Sequence, residues 1–517
     1  MDPEHDVIVV LCTNRVHPSR EATGIQRLRP EVHNLSYAGI RSCTNVILEA
    51  PHHIHLVACC GTAMGSLAGM LKARGYHVTG SDQYVYPPMS TQLDAWGIPI
   101  YEGFSVEHLD PRPDLVIVGN VVTRDNAEAA ATREAGIPAM SFPQALAYFF
   151  IQDRHGVVVT GTHGKSTTTA LIAWVLTQAG CDPNVFVGAV MRNFDSTFRL
   201  GEGPHMVIEG DEYDSAYFDK GPKFLHYRPR TAVVTSIEFD HADIYRDFEH
   251  VRSSFVRFLD IMPEEGCLVA CVDHHQVRDV IASTPVASEI QTYGIEPGAD
   301  WRAESYTSSP EGMELTVSYR QAPYGQFRIP LYGPHNVQNV LATIAVANRV
   351  GLTPEQIASG LATYAHIKRR LEVRGAVGEV TVIDDFAHHP TAVQVTLEGV
   401  RQAYPGKRIW AVFEPRTATS RRNVFQQDYI QALQGADRVI MSDIHRKESL
   451  SPTERLSPEG IVEALRGRIE EADFYADTGE IIDKLCRDTR PGDVVIVMSN
   501  GGFDNIHERL LTALAQQ

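Results

Sequence analysis

The stretch Gly161-Thr162-His163-Gly164-Lys165-Ser166-Thr167 holds what a bound phosphate requires. Glycines let backbone N–H groups turn toward phosphate oxygens, and a helix starting at the lysine adds the positive end of its dipole. Lys165 carries an ammonium suited to β- and γ-phosphates, and Ser166 a hydroxyl suited to Mg2+. The general phosphate-loop pattern has a further glycine where Val159 stands, so this is a shortened G-x-x-G-K-S form. Acidic groups that could share such a cation follow. Glu209, Asp211, Glu212 and Asp214 are four acids within six residues, directly after the apolar Met206–Ile208. Mg2+ takes hard oxygen ligands, although a solvated acidic turn is the plainer alternative. In Ser236–Asp243, His241 stands among Glu238, Asp240 and Asp243, which reads as a histidine that supports a metal or orients water, or as a structural one. The cysteines lie elsewhere, which argues against zinc at His241. Asn336 and Asn339 sit one turn apart at the start of an Ala/Val-rich helix opened by Gly333-Pro334, as nucleotide contacts or as caps. Asp384, Asp385, His388 and His389 close another apolar run.

The elements that position these residues are α/β units. His155–Thr160 reads as a strand, and Ala170, Leu171, Trp174, Val175 and Leu176 recur at helical spacing up to Gly180. Ile54–Cys59 is an apolar strand ending in Cys60-Gly61-Thr62-Ala63-Met64-Gly65, and a second strand closes at Gly80-Ser81-Asp82. Asp114–Asn120 is another strand with polar residues at its carboxyl end. Ligands of open α/β sheets bind outside those ends. Further strands are expected at Thr231–Ile237, Val380–Asp384, Ile409–Phe413, Arg438–Met441 and Val494–Met498, and Leu361–Arg374 reads as a junction. Alternating strands and helices predict three stacked α/β domains with parallel sheets. These are a Rossmann-like block at 53–150, a central P-loop ATPase-type block at 151–365 and a C-terminal Rossmann-like block at 366–517. Residues 1–52, with Val7–Leu11 as a candidate strand, form an extension to which no role is assigned.

At 517 residues the chain has room for about three domains. Its formal net charge of −18 argues against a general nucleic-acid binder. No apolar run reaches the roughly 18 residues of a membrane-spanning helix. The N-terminus is acidic where an export signal is basic, and the eight cysteines contain no C-x-x-C pair. Both fit a cytoplasmic protein with reduced thiols. A nicotinamide enzyme is a poorer match, because Gly61-x-x-x-Gly65 is not G-x-G-x-x-G. A non-catalytic nucleotide-binding module is disfavoured by the joint presence of Lys165, Ser166, Glu209 and His241.

Taken together, Gly161–Ser166, Glu209, Asp240-His241-x-Asp243, His335-Asn336-x-x-Asn339, Arg369-Arg370-Leu371-Glu372 and Asp384-Asp385 resemble the Mur ligases over about residues 53–517. These are ATP-dependent enzymes that form the amide bonds of peptidoglycan precursors. The resemblance is greatest to the branch that joins UDP-N-acetylmuramate to L-alanyl-γ-D-glutamyl-meso-diaminopimelate recycled from the wall. Val85–Thr91, Asp211–Lys220, Glu238–Tyr245 and Met498–Phe503 carry it. The alternative is the biosynthetic branch that adds L-alanine to the same sugar, which usually has Ser where Tyr213 stands. The carbamylated lysine of several family members has no counterpart, since residues 242–260 contain no Lys and Val256 stands near that position.

The resemblance implies roles residue by residue. Lys165, Glu209, His241, Arg370 and Asp385 are the implied catalytic set. ATP is implied at Gly161, Thr162, His163, Gly164, Lys165, Ser166, Thr167, Asn336, Asn339, Arg370 and Asp385, with Mg2+ on Ser166, Glu209 and His241. The UDP-sugar is implied at Gly61, Thr62, Met64, Gly65, Asp82 and Asn120, and the incoming peptide at Arg416, Ser499 and Asn500. The third block is expected to complete the ATP site when it closes. The sequence leaves monomer and dimer open.

Overall fold

The computed structural model describes residues 51–517 apart from 88, 243 and 517. The extension up to residue 50, the candidate strand Val7–Leu11 and Asp243 therefore lie outside the described residues. Three sheets follow one another along the chain. The first runs through β1 (His53–Val57), β2 (His77–Asp82), β3 (Ile100–Glu102), β4 (Leu115–Val118) and β5 (Ala139–Ser141). It is parallel throughout, in the order β3-β2-β1-β4-β5. The order in which strands are added reverses between β1 and β4, so the crevice at their carboxyl ends is flanked by the Gly61 turn and Asn120.

The second sheet has ten strands. They are β6 (His155–Thr160), β7 (Asn184–Met191), β8 (Ser196–Arg199), β9 (His205–Gly210), β10 (Thr231–Val234), β11 (Cys267–Cys271), β12 (Glu289–Gly294), β13 (Trp301–Ser309), β14 (Gly312–Tyr319) and β15 (Ala322–Ile329). The order is β15-β14-β13-β12-β11-β10-β6-β9-β7-β8. β6 lies between β9 and β10, with Val159 beside Glu209 and Thr160 beside Val234. The carboxyl ends of these three strands thus converge. The third sheet comprises β16 (Glu372–Val377), β17 (Val380–Asp385), β18 (Ile409–Phe413), β19 (Arg438–Ser442), β20 (Glu471–Tyr475) and β21 (Val494–Met498), in the order β16-β17-β21-β18-β19-β20.

The three-layered α/β organisation agrees with expectation, but the sheets are not wholly parallel. β13–β15 form an antiparallel ribbon, and β8 and β16 are antiparallel edges. The ribbon's alternating pattern places Trp301, Ala303, Met313, Leu315, Val317, Phe327 and Ile329 inward with polar neighbours outward. A one-sided antiparallel sheet has this pattern, whereas a parallel strand covered on both faces reads as a continuous apolar run. Cys59, Cys60, Cys181, Cys267 and Cys271 are free thiols.

The helix Lys165–Gln178, which carries the phosphate loop at its start, packs against Pro334–Val350 and Pro354–Ala362. Gly360 is the point of closest approach. A Cβ there would lie 2.9 Å from the Val175 Cα, which cannot step aside without moving the helix backbone. Gly333 and Gly399 play the same part between the second and third units, where a Cβ on Gly333 would lie 3.0 Å from the Gly399 Cα. Replacing Gly360 with Ala is expected to destabilise the central unit by about 1–3 kcal/mol, the usual cost of overpacking. Thermal melts of the variant should show it, and an unchanged midpoint would contradict this packing.

Candidate active site

Gly161 and Gly164 both adopt left-handed backbone, with φ of 132° and 81°. Neither has room for a side chain. A Cβ on Gly161 would lie 2.1 Å from Thr235 Oγ1, and one on Gly164 would lie 2.6 Å from Asn339 Oδ1. The loop between them is tied to the segment after β10. Thr162 N donates to Ser236 O at 2.9 Å, His163 N to Ser236 Oγ at 3.0 Å, and Glu238 N to Thr162 Oγ1 at 2.8 Å. Thr167 is buried one turn into the helix that follows.

Lys165 Nζ donates to Gly161 O at 2.7 Å and to Glu212 Oε2 at 3.0 Å. Burial works against its charge, but Glu212, Asp211 and Glu209 outweigh that and hold its pKa above the usual lysine value. Ser166 Oγ donates to Glu209 Oε2 at 2.7 Å, and the other carboxylate oxygen accepts from Gly188 N. Burial and the neighbouring Asp211 push the Glu209 carboxyl up. His241 Nε2 stands 3.5 Å from Glu212 Oε1. Despite burial, Glu212 and Asp240 raise its pKa. Asp211 pairs with Lys223 Nζ at 2.9 Å. The structure therefore brings Lys165, Ser166, Glu209 and His241 into one cluster. It adds Glu212, which bridges Lys165 to His241. The only sequence signal for Glu212 was its membership in the acidic run.

Asn336 and Asn339 are buried. Asn336 Nδ2 donates to Tyr332 O at 2.9 Å and Asn339 Nδ2 to Asn336 Oδ1 at 3.0 Å, while Asn339 Oδ1 accepts from Thr168 Oγ1 at 3.0 Å. They brace the helix that carries the phosphate loop. Arg370 lies on the junction, flanked by Arg369 and Leu371 at φ of 63° and 47°. Its guanidinium covers the Phe386 ring at 4.9 Å. Asp385 accepts from Leu371 N at 2.7 Å and Ala387 N at 2.8 Å, and burial pushes its carboxyl up against these bonds.

The two remaining residue groups sit at other strand ends. In the first unit a Cβ on Gly61 would meet nothing within 4 Å, and Thr62 is exposed. Asp82 Oδ2 accepts from Cys60 N at 2.7 Å, and Asn120 is exposed after β4. Met64 and Gly65 face the interior, where a Cβ on Gly65 would collide with Met89. In the third unit Arg416 lies 3.3 Å from Glu414 and against Gly501, Ser499 Oγ donates to Glu414, and Arg369 donates to the carbonyls of Ser499 and Gly501. The Asn500 Oδ1 is buried without a hydrogen-bond partner.

A contact that the sequence did not single out joins the second and third units. Glu238 Oε2 lies 3.2 Å from His163 Nε2 and 3.4 Å from His389 Nδ1, and accepts from Thr391 Oγ1 at 2.7 Å. These residues are distant in sequence, so no local pattern could reveal them.

A G-x-x-G-K-S loop between strand and helix, a strand-end carboxylate on its serine, and a third α/β unit packed beside it through a junction have the architecture of a nucleotide-dependent enzyme. Comparison with known proteins agrees. The model described as Mur ligase family, catalytic domain, matches residues 53–154, the Mur ligase middle domain matches 159–347, and the Mur ligase, glutamate ligase domain, matches 369–501. The UDP-N-acetylmuramate--L-alanyl-gamma-D-glutamyl-meso-2,6-diaminoheptandioate ligase of Escherichia coli K12 is 39% identical over 90% of this chain and 98% of its own length. The UDP-N-acetylmuramate--L-alanine ligase of Syntrophus aciditrophicus is 32% identical over 92% and 96% respectively. The crystal structure of a murein peptide ligase from Psychrobacter arcticus has a TM-score of 0.66 at 36% identity, covering 90% of this chain and 99% of the other. The chain belongs to the Mur ligase family.

The pairing of Glu238 has a measurable consequence. Burial raises its pKa, but the hydrogen bonds from His163 and Thr391, joined at low pH by the charge of His389, outweigh it and hold the carboxyl at about 2. A depressed folded-state value contributes stability above the ordinary carboxylate range, and that stability is lost as pH falls through the folded value. Glu238→Gln should lower the urea midpoint near neutral pH. The deficit is of order 3 kcal/mol at most, at about 1.4 kcal/mol per pKa unit. It should shrink as the pH approaches about 3. A deficit independent of pH over that range would refute the pairing.

Proposed function

We propose that this chain is an ATP-dependent ligase that joins L-alanyl-γ-D-glutamyl-meso-diaminopimelate to UDP-N-acetylmuramate, and that it acts in the cytoplasm, where both nucleotides are available, to return recovered wall peptide to synthesis. The observation that carries this reading is the 39% identity across 98% of a relative bearing that activity in its name, against 32% to an L-alanine-adding relative. The site geometry supports it.

A carboxylate and an ammonium do not condense unaided, because the departing oxygen is a poor leaving group. The muramoyl carboxylate attacks the γ-phosphorus of ATP, ADP departs, and an acyl phosphate results. The neutral amine of the peptide's L-alanine then attacks the acyl carbon and phosphate leaves. Such transfers depend mainly on positioning and charge stabilisation. Lys165 has the placement to hold β- and γ-phosphates, exchanging its bond to Glu212 for them. Gly161, Thr162, His163, Gly164 and Thr167 shape the cradle. Asn336 and Asn339 serve the nucleotide through the loop they brace. Arg370 and Asp385 bring the third unit's charges to the phosphates on closure.

The residues also fit Mg2+. Glu209, Asp211 and Glu212 outnumber Lys165 and Lys223, and the nearest donors are oxygens and one imidazole. Ser166, Glu209 and His241 would hold the ion, which supplies charge neutralisation at the transferring phosphoryl group. Gly61, Thr62, Asp82 and Asn120, at the crevice of the first sheet, are assigned to the UDP moiety, with Met64 and Gly65 packing the turn beneath. Arg416, Ser499 and Asn500 are assigned to the peptide. Residues 53–150, 151–365 and 366–517 then divide the work among sugar nucleotide, ATP and peptide.

Phosphate release with UDP-N-acetylmuramate and ATP tests the reading when the two amines are compared. The tripeptide should be preferred over L-alanine by about 100-fold or more in kcat/KM, or roughly 2.7 kcal/mol. The reverse preference would overturn the acceptor, and release with neither amine would overturn the whole reading. Lys165→Ala should abolish release while the protein stays folded, with a lower melting temperature because Glu212 loses its buried cation.

Arg416→Glu should raise KM for the tripeptide about tenfold or more, near 1.4 kcal/mol, and leave KM for ATP within about twofold. Equal effects on both would count against the peptide assignment.

A further inference from the structure

The His163–Glu238–His389 contact has the composition and spacing of a metal site, separate from the cluster around Lys165. One ligand atom from each residue lies within 4.8 Å of the other two. Two of the three separations, 3.2 Å and 3.4 Å, meet at the same oxygen, Glu238 Oε2. Tetrahedral Zn2+ with nitrogen and oxygen ligands at about 2.0–2.1 Å has ligand-to-ligand edges of about 3.3–3.4 Å. These two edges already match.

The proton positions favour a cation as well. His389 Nε2 lies 3.2 Å from the Phe239 carbonyl, which only accepts, so Nε2 carries the ring proton. Nδ1 is then left with its lone pair facing a carboxylate oxygen. Metal-bound imidazoles are anchored in this way through the second nitrogen. Burial lowers His389 to about 4, which keeps the ring neutral at physiological pH. Thr391 Oγ1, bonded to Glu238 Oε2 at 2.7 Å, supplies the outer support of the carboxylate. The long 3.3 Å approach of Thr391 N to His389 Nδ1 is the one bond that a metal would replace. Two imidazoles and a carboxylate suit borderline cations such as Zn2+ over Mg2+, which prefers oxygen. Among the described residues His241 has no cysteine near it to complete a zinc site, whereas here two histidines supply the nitrogen ligands.

We propose that His163, Glu238 and His389 form a binding site for a Zn2+-class transition metal, clasping the phosphate loop and the third unit together. The inference does not depend on which amine the enzyme uses. Because His163 belongs to the phosphate loop, a bound ion ties that loop to the third unit and opposes reopening.

The test is titration of the full chain with Co2+ in saturating Mg2+, read by the intense visible absorption of four-coordinate Co2+. One equivalent should bind in that form, and excess Zn2+ should bleach it. Glu238→Gln, which preserves shape, should weaken binding at least about tenfold to 100-fold. His389→Ala should do the same, while His52→Ala, in the separate His52–His77 ring contact, should bind as the wild type does. Absence of the four-coordinate band in the wild-type protein, or its persistence in Glu238→Gln, would overturn the proposal, whatever the ligase assay shows.

Discussion

The ammonium of Lys165 is the constraint on which the second unit is built. It is largely withdrawn from water, and a buried cation without a partner is not tolerated. The sheet order supplies its partners by placing β6 between β9 and β10, so that carboxylates leaving neighbouring strand ends surround the loop. Glu212 and the Gly161 carbonyl compensate it in this structure. The loop can close that tightly only because Gly161 and Gly164 lack side chains that Thr235 and Asn339 would otherwise meet. The Asn336–Asn339–Thr168 chain fixes the helix behind the loop. In the proposed function a phosphate would meet a cation already in place, exchanging one anion for another on Lys165.

The junction carries this arrangement to the third unit. Lys368 N donates to Val190 O at 3.0 Å and Arg192 N to His366 O at 3.1 Å, which pins the chain against β7 before it crosses. His366, Arg369 and Leu371 then take left-handed backbone. Non-glycine residues pay for that conformation, and such strain concentrates where position matters more than stability. Arg370 lies between two of them. The Gly333–Gly399 contact lets the helices of the two units touch at backbone distance. Side-chain bulk at that contact would keep Arg370 and Asp385 away from the phosphate loop.

Legibility in the sequence followed locality. The phosphate loop could be read because its glycines, lysine, serine, preceding strand and following helix are contiguous, and Glu209 because it ends a short apolar run. Three of the first sheet's five strands, β1, β2 and β4, were recognisable, β1 and β4 as apolar runs, whereas the three-residue edges β3 and β5, only partly buried, were not. β13–β15 were not, because their apolar residues alternate with polar ones, which resembles loop composition when the pairing partner is unknown. Glu212 was visible but not distinguishable from Asp211 or Asp214, since only the fold shows which acid faces Lys165. The meeting of His163 with Glu238 and His389 depends on the closure of two separate units, and nothing in the local sequence of any of the three encodes it.

Net charge was a poor guide to the site for a related reason. A total of −18 describes the field at a distance, which salt screens beyond about 10 Å. In the proposed site, phosphate would meet Lys165, Arg370 and the start of the helix at Lys165 at contact distance, well inside that screening length. Tyr213 shows how finely that local environment is set. Its ring lies 4.9 Å from the His241 ring and 4.0 Å from Lys223 Nζ. Burial and the hydrogen-bonded Asp211 push its phenol well above the usual tyrosine value, so it remains a neutral donor. A serine at this position would have no ring to cover Lys223 or to bear on His241. The choice of residue here therefore bears on Asp211, Lys223 and His241, beside the proposed metal ligands.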